Sequence, residues 1–484
     1  MSAPHFSQLD AEDAALHDRW RTLLTLGASV GLLAVGVWAA CSALRWAVHH
    51  WSRALFDGVQ SWPNASALLL VLAMTAAALV WGWLGRQRGW EVAQGDGIGL
   101  ALESFHCSRQ DGVDDPRRRY GRPDLGLAAK KAILTLLTLG SGAAGGLEGP
   151  VVLIGEALAA GWSRLWGARS GHALRTHQVA GIAAAVGTLL AAPLTAAFFA
   201  TELVSGERII HRKLAYALWA SVLAYGLNTA IRGYHPLFTA PDHAPVYSLA
   251  EYGSAVLVAL TVSMPIALGF AALVRRTRRV VATLPARSRA PAAALVQGMI
   301  AATLWRLLGI GPEHTLGMGE ETIAAILFHA QGQVGPMNLW WGLLLALLAR
   351  AVNTVLTIQS GGSAGMLVPT MVMGGVSGAL TCELLQPLLG LQLDPALFAV
   401  VGIASALVAV VGVPLSAMAF VLEVFGKQYG PPTLLAVGVT YLITLRLRSP
   451  SPHAPTAAKA PTPEPPAANR GAPGAASDAP KEGP

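Results

Sequence analysis

The sequence predicts an all-α integral membrane protein with many tilted and broken helices, arranged as two related halves. Three observations carry that prediction. Only 13% of the residues are charged and 53% are hydrophobic, whereas a soluble domain carries about 25% charged residues. Apolar runs that approach or reach the length of a membrane span recur, among them Leu23–Leu44, Ala65–Leu84, Gly253–Val274, Trp340–Ala349 and Ala396–Val411. Finally, a block rich in Gly and Pro occurs twice.

The elements follow in order. Residues 1–20 are polar, with Asp10, Glu12 and Asp13 ahead of the first apolar run. Such a start lacks the basic region and early cleavage site of a secretory signal, and it reads as a cytoplasmic lead. Residues 21–448 form the expected membrane domain, with roughly fourteen to eighteen helical pieces, several too short or too broken to be simple spans. From Ser449 to Pro484 the chain is Pro/Ala/Gly-rich without periodicity. This tail (449–484) is expected to be disordered, and it is too short for an appended regulatory domain of ordinary size.

Charge and special residues narrow the function classes. The net charge of +7 comes from basic residues in loops between apolar runs. Arg86, Arg88, Arg117–Arg119, Arg122, Arg275, Arg276, Arg278 and Arg279 mark the expected cytoplasmic side, a topology signal rather than a nucleic-acid surface. Cys41, Cys107 and Cys382 are widely spaced and odd in number, which suggests neither a disulfide framework nor a metal cluster. No Ser/His, paired-Asp or His-Glu-x-x-His arrangement lies in an apolar run, so neither an enzyme nor a cofactor is expected. His106, His172, His177, His211 and His314 read as loop or helix-end residues, mostly solvated.

The most informative residue is Glu148, in Gly146-Leu147-Glu148-Gly149-Pro150. It is the one charge in the stretch Ala132–Ile154, and a carboxylate within a membrane segment is costly enough to be a functional candidate by default. The flanking glycines and proline break a helix where backbone N–H groups can face an anion or a carboxylate. A plainer alternative makes Glu148 a cap for the following helix. Ser141–Pro150 lines up with Ser360–Pro369, an offset of 369 − 150 = 219, and Gly155 then falls on Gly374. Gly181–Glu202 lines up with Gly402–Glu423, with the prolines offset by 414 − 193 = 221. Two blocks sharing nearly one offset define repeat halves, about 21–232 and 250–448. Such halves pack about a pseudo-two-fold axis with the site where their broken helices meet. The competing account gives the repeated Gly and Pro to close helix packing alone.

These residues resemble the CLC family of chloride channels and chloride/proton exchangers. The family signature Gly-(Arg/Lys)-Glu-Gly-Pro is matched by Gly146–Pro150, and Gly-x-Phe-x-Pro by Gly365–Pro369. Gly-Ser-Gly-Ile-Pro is loosely matched by Gly95–Gly99, and the Ala-Pro-Leu and Val-Pro-Leu blocks at 192–194 and 413–415 also look like the family. The resemblance covers about residues 25–448. It implies an inverted-repeat CLC-type fold and a homodimer with one anion pathway per subunit, in a bacterial inner membrane. It also implies anion binding by the backbone amides of Leu147, Glu148 and Gly149 outside and of Met366 and Leu367 centrally. The Glu148 side chain would be the external gate, blocking when ionised and admitting the ion when protonated. Helix N-termini suit this task, because their partial positive charge attracts a halide without holding it as a lysine would.

Five departures bear on the mechanism. Leu147 replaces the family's basic residue, and Leu367 replaces its Phe. Asp96 stands where the family places a Ser hydroxyl in the anion-binding set. Three readings of Asp96 stay open: a protonated donor, a partner of Arg86, Arg88 or Lys130, or a loop residue turned from the pathway. The region of the family's central tyrosine, Arg446–His453, contains none, and Tyr441 reads as an ordinary packing residue. The family's internal proton-transfer glutamate aligns with Leu203. Glu202, one position earlier, and Glu207 are the possible substitutes, although Glu202 and Glu423 occupy equivalent repeat positions, which favours a structural role for both.

The function expected is transport of chloride or a similar small anion across the lipid bilayer, gated by Glu148, with weak or absent proton coupling. A coupled chloride/proton antiporter using Glu202 is the first alternative. A cation transporter built on Asp96, Glu148, Glu202 and Glu423 is the second. A fluoride-selective protein is disfavoured, because family members of that kind alter the first and third signatures differently.

Overall fold

The computed structural model describes residues 20–107, 124–166, 171–206, 210–233, 237–239, 241, 248–328, 340–389 and 393–447. The expected lead (apart from Trp20), the tail 449–484, Arg117–Arg119, Arg122 and Glu207 lie outside them. The described residues are helical, with two isolated β-bridges, Gly95–Ser363 and Gly146–Gly365.

The first half opens with α1 (Trp20–Gln60) and α2 (Ser66–Gly85). At 41 residues, α1 is about 62 Å long, twice a hydrocarbon core of about 30 Å, so it must tilt or protrude. Then come α3 (Ile98–Cys107), α4 (Asp124–Gly140), α5 (Glu148–Leu165), α6 (Gly171–Leu190), α7 (Pro193–Ser205) and α8 (His211–Arg232). The second half has α9 (Leu249–Val258), a π-helical turn at Ala259–Ser263, α10 (Met264–Ala282), α11 (Arg289–Leu308), and the short α12 (Pro312–Thr315) and α13 (Glu320–Leu327). It continues with α14 (Trp340–Gln359), α15 (Leu367–Leu389), α16 (Pro395–Val411), α17 (Pro414–Phe420) and α18 (Gly430–Leu447). Among the described residues, seven helical stretches are long and apolar enough to cross a membrane. The π-helical turn precedes Pro265, whose missing N–H would leave an unpaired carbonyl in a regular helix.

Several helix ends follow the offsets between the repeated blocks. Adding 219 to the ends of α4 and α5's start gives the end of α14 and the start of α15; adding 221 to the start of α7 gives that of α17. Gly142 (φ 86°) and Gly361 (φ 97°) take the same left-handed backbone one residue into the loop. Ala191 (φ 52°) and Gly412 (φ 82°) do so between the second and third helices of each set. Equivalent residues also pair with each other. Gly146 N–H donates to Gly365 O at 2.9 Å, and Gly365 N–H to Gly146 O at 2.7 Å. A reciprocal bond between equivalent residues is the mark of a two-fold axis.

Small residues bring the innermost helices together. A Cβ on Gly155 would lie 2.5 Å from Gly181 O, and one on Gly374 only 2.2 Å from Gly402 O. Backbones this close leave no room for any side chain, so α5 packs on α6 and α15 on α16 through glycine. Every residue of α16 from Ala396 to Val411 is buried, and nearly all of α5 from Glu148 to Ala160. These helices form a protein-lined interior, while α2, α8, α11 and α18 turn Leu, Trp and Val outward.

Candidate functional site

The site grows from the two loops that precede α5 and α15. Each loop is short, Gly-rich and bounded by a helix on either side, so its backbone groups must find partners in one another. Gly146 and Gly365 supply the central pair. A third segment joins them: Gly95 N–H donates to Gly362 O at 2.9 Å, and Ala364 N–H to Gly95 O at 3.3 Å. A fourth contact comes from Gly317, whose N–H donates to Gly142 O and whose carbonyl accepts from Gly145 N–H, both at 3.1 Å. Arg350 is fully buried, and it holds that last segment by donating to the carbonyls of Glu313, His314, Leu316 and Gly317. Thr135 and Ser363 hydroxyls meet at 2.7 Å and tie α4 to the second loop.

Glu148 is the first residue of α5 and is 3% exposed. Its Oε2 is buried, without a hydrogen-bond partner among the described residues. A Cβ on Gly146 would lie 2.3 Å from that oxygen, so glycine is required there for the carboxylate to fold back over the loop. Arg45 on α1 and Glu320 on α13 are charged groups whose fields reach Glu148, and they approach each other at 3.7 Å. Leu147, the residue preceding α5, is buried, consistent with an apolar replacement at a position that elsewhere in the family carries a cation.

Asp96 turns toward the starts of α3 and α15. Its Oδ1 accepts from Met366 N–H at 3.1 Å, and its Oδ2 lies 3.4 Å from Ile98 N at the start of α3. A Cβ on Gly149 would lie 2.0 Å from Asp96 Oδ1. The structure therefore brings Asp96, Gly149 and Met366 to one point, with Glu148 and Leu367 beginning the two helices beside it. The first N–H groups of both helices have no acceptor within their own helix.

Glu202 stands apart from this cluster. Its two oxygens accept from Leu415 N–H at 2.9 Å and Ser416 N–H at 2.8 Å, at the start of α17. Glu423 does the same in reverse, accepting from Leu194 N–H at 2.9 Å and Thr195 N–H at 2.7 Å at the start of α7. Each half caps a helix of the other. The structural role expected of the pair is thus specified as helix capping.

Sequence reasoning missed several buried polar groups. Lys131 is fully buried, and its Nζ donates to Ala93 O at 3.1 Å and Gly95 O at 2.7 Å, with the Asp96 charge acting on it. Lys130, named in the sequence reading, instead donates to Gly89 O and lies over the Trp90 ring. Adjacent lysines on one helix face 100° apart, and composition alone does not tell which one turns inward. Glu156 is buried on α5, accepting from Ser104 Oγ at 2.8 Å and Gln178 Nε2 at 2.6 Å. His177 corrects the reading of solvated histidines: it is fully buried within α6, with Nε2 2.9 Å from Ser29 Oγ. Tyr441 lies within α18 and packs against the core.

Comparison with known proteins places this architecture. Residues 76–445 match the family described as voltage gated chloride channel. A chloride/fluoride channel protein of Pseudomonas syringae pv. tomato is 23% identical over 410 residues, covering 81% of this chain and 85% of the relative. An uncharacterized protein of Methanocaldococcus jannaschii is 25% identical over 316 residues, covering 65% and 73%. Among solved structures, that of a slow cyanobacterial Cl⁻/H⁺ antiporter superposes with a TM-score of 0.73 at 17% identity, covering 88% of this chain and 96% of that one. A CLC-type fluoride/proton antiporter gives a TM-score of 0.67 at 22% identity, covering 88% and 97%. With the match spanning most of the chain and the fold agreeing throughout, this multi-pass membrane protein belongs to the voltage-gated chloride channel (CLC) family.

Proposed function

We propose that the chain moves chloride or a similar small anion across the membrane, through a site at the facing starts of α5 and α15, with Glu148 as its external gate. One observation carries this reading above the others: Glu148 Oε2 is buried at the loop crossing with no hydrogen-bond partner among the described residues. A carboxylate oxygen left so is costly, and the backbone hydrogen bond the group does have is to its own N–H, local to the residue that would swing. The amides of Leu147, Glu148 and Gly149 form the outer position, and those of Met366 and Leu367 the central one. Ionised, Glu148 holds an anion position itself; protonated, it swings out and admits the ion. Relatives described as acting on chloride and on fluoride both match the chain, so fluoride stands within the anion class proposed.

Proton coupling in this reading is weak or absent. Glu202, the substitute for the missing internal glutamate, spends its oxygens on two backbone N–H groups, and Leu203 offers no proton. The alternative is a coupled antiporter in which Glu202 does release them. Anion flux from proteoliposomes, recorded together with external pH, separates the two: sustained proton movement driven by a chloride gradient eliminates the uncoupled version. Selective transport of a divalent cation, lost in Glu148→Gln, would instead establish the cation transporter. The family resemblance extends the proposal to a homodimer in a bacterial inner membrane, with residues 21–448 as the membrane domain.

A further inference from the structure

We infer that the Asp96 carboxylate is the resting occupant of the point where α3, α5 and α15 begin, a tethered anion that an incoming halide must displace, and so the inner barrier of the pathway. The inference rests on the anion-transport reading of the same site. It begins from occupancy. Asp96 Oδ1 accepts from Met366 N–H at 3.1 Å and lies 2.0 Å from where a Gly149 Cβ would be. The same oxygen is 3.3 Å from a Cβ built on Gly365. A halide held by the Met366 amide would need the volume this oxygen fills, so the two are mutually exclusive.

The 95–97 segment is already docked by Gly95 N–H to Gly362 O, by Ala364 N–H to Gly95 O, and by the buried Lys131 ammonium on Ala93 O and Gly95 O. Lys131 Nζ, on the carbonyl of the residue before Asp96, is close enough for the two charges to act on each other. A second buried carboxylate oxygen, Glu148 Oε2, stands unpartnered among the described residues over the neighbouring loop. Asp96 itself is only half-buried. The pathway thus carries two tethered carboxylates in series, Glu148 outside and Asp96 inside.

Bromide binding to the purified full-length protein tests this, by calorimetry and by anomalous scattering from crystals. In the wild type no bromide should lie within hydrogen-bond distance of Met366 N. Asp96→Ser should bind bromide at least about tenfold more tightly, the factor that one charge-assisted hydrogen bond is worth. Asp96→Asn keeps the shape, guards against a folding defect in the serine variant, and should also bind more tightly. Bromide bound at Met366 N in the wild type, or affinities in both variants no higher than wild type, would overturn the inference. The Glu148 reading is scored separately, in a Glu148→Ala parent: if pH-dependent flux persists there, the gate assignment fails whatever Asp96 does.

Discussion

The starts of α5 and α15 are built alike and differ in one residue that matters. Both follow a Ser-Gly loop with a left-handed glycine at its second position, and both loops end at the glycine pair Gly146–Gly365. Yet α5 begins with Glu148 and α15 with Leu367. At the carboxylate that the repeat shares the halves agree, because Glu202 and Glu423 each cap the opposite half. The contrast separates two roles that a membrane carboxylate can have. A symmetric, fully bonded pair holds the halves together. An asymmetric carboxylate with an oxygen left unpartnered among the described residues is the one proposed here to act as the gate.

The largest test of this contrast is Glu148→Ala. It should give anion flux that no longer varies with pH and should abolish any proton movement, while thermal stability stays near wild type. Unchanged pH dependence in a liposome assay would remove the gate from Glu148. Next are the glycine contacts that the halves share. Gly155→Ala and Gly374→Ala each drive a Cβ against a backbone carbonyl, and thermal unfolding in detergent should show losses of about 1–3 kcal/mol. Gly374→Ala should cost more, because its contact is closer, and equal stability to wild type would mean the helices separate freely.

The capping pair should give smaller and matched effects. Glu202→Gln and Glu423→Gln should each lose about 1–2 kcal/mol, with the ratio of protons to anions unchanged in both. A change in proton movement confined to Glu202→Gln would make it a proton carrier instead. The smallest effect has the opposite sign. Ala191 holds a left-handed backbone where its repeat partner is Gly412, and an L-residue there costs about 1–2 kcal/mol. Ala191→Gly should therefore stabilise the protein by about 0.5–1 kcal/mol after the added entropy of the unfolded glycine. No gain would mean that the strain is relieved locally.

Much of this was legible in the chain itself. Long apolar runs, a scarcity of charge and two blocks at one offset specify a membrane-embedded repeat, because lipid leaves the backbone few alternatives to helices. Glu148 was legible for the same reason: an isolated carboxylate among apolar residues has no cheap explanation. The partners of polar groups were not. Residues 96 and 366 are far apart in sequence, and only the folded loops bring them to 3.1 Å. Nothing local distinguishes Lys131 from Lys130, or shows that His177 is buried against Ser29.

The sequence by itself determined that this is an all-α membrane protein of two halves, with broken helices at Gly146–Pro150 and Gly365–Pro369, because hydropathy and Gly/Pro spacing act over short stretches of chain. Tertiary structure alone decided which carboxylates are spent on backbone amides and which is left poised. A hydrogen bond needs its partner within about 3 Å, and those partners come from the opposite half of the chain.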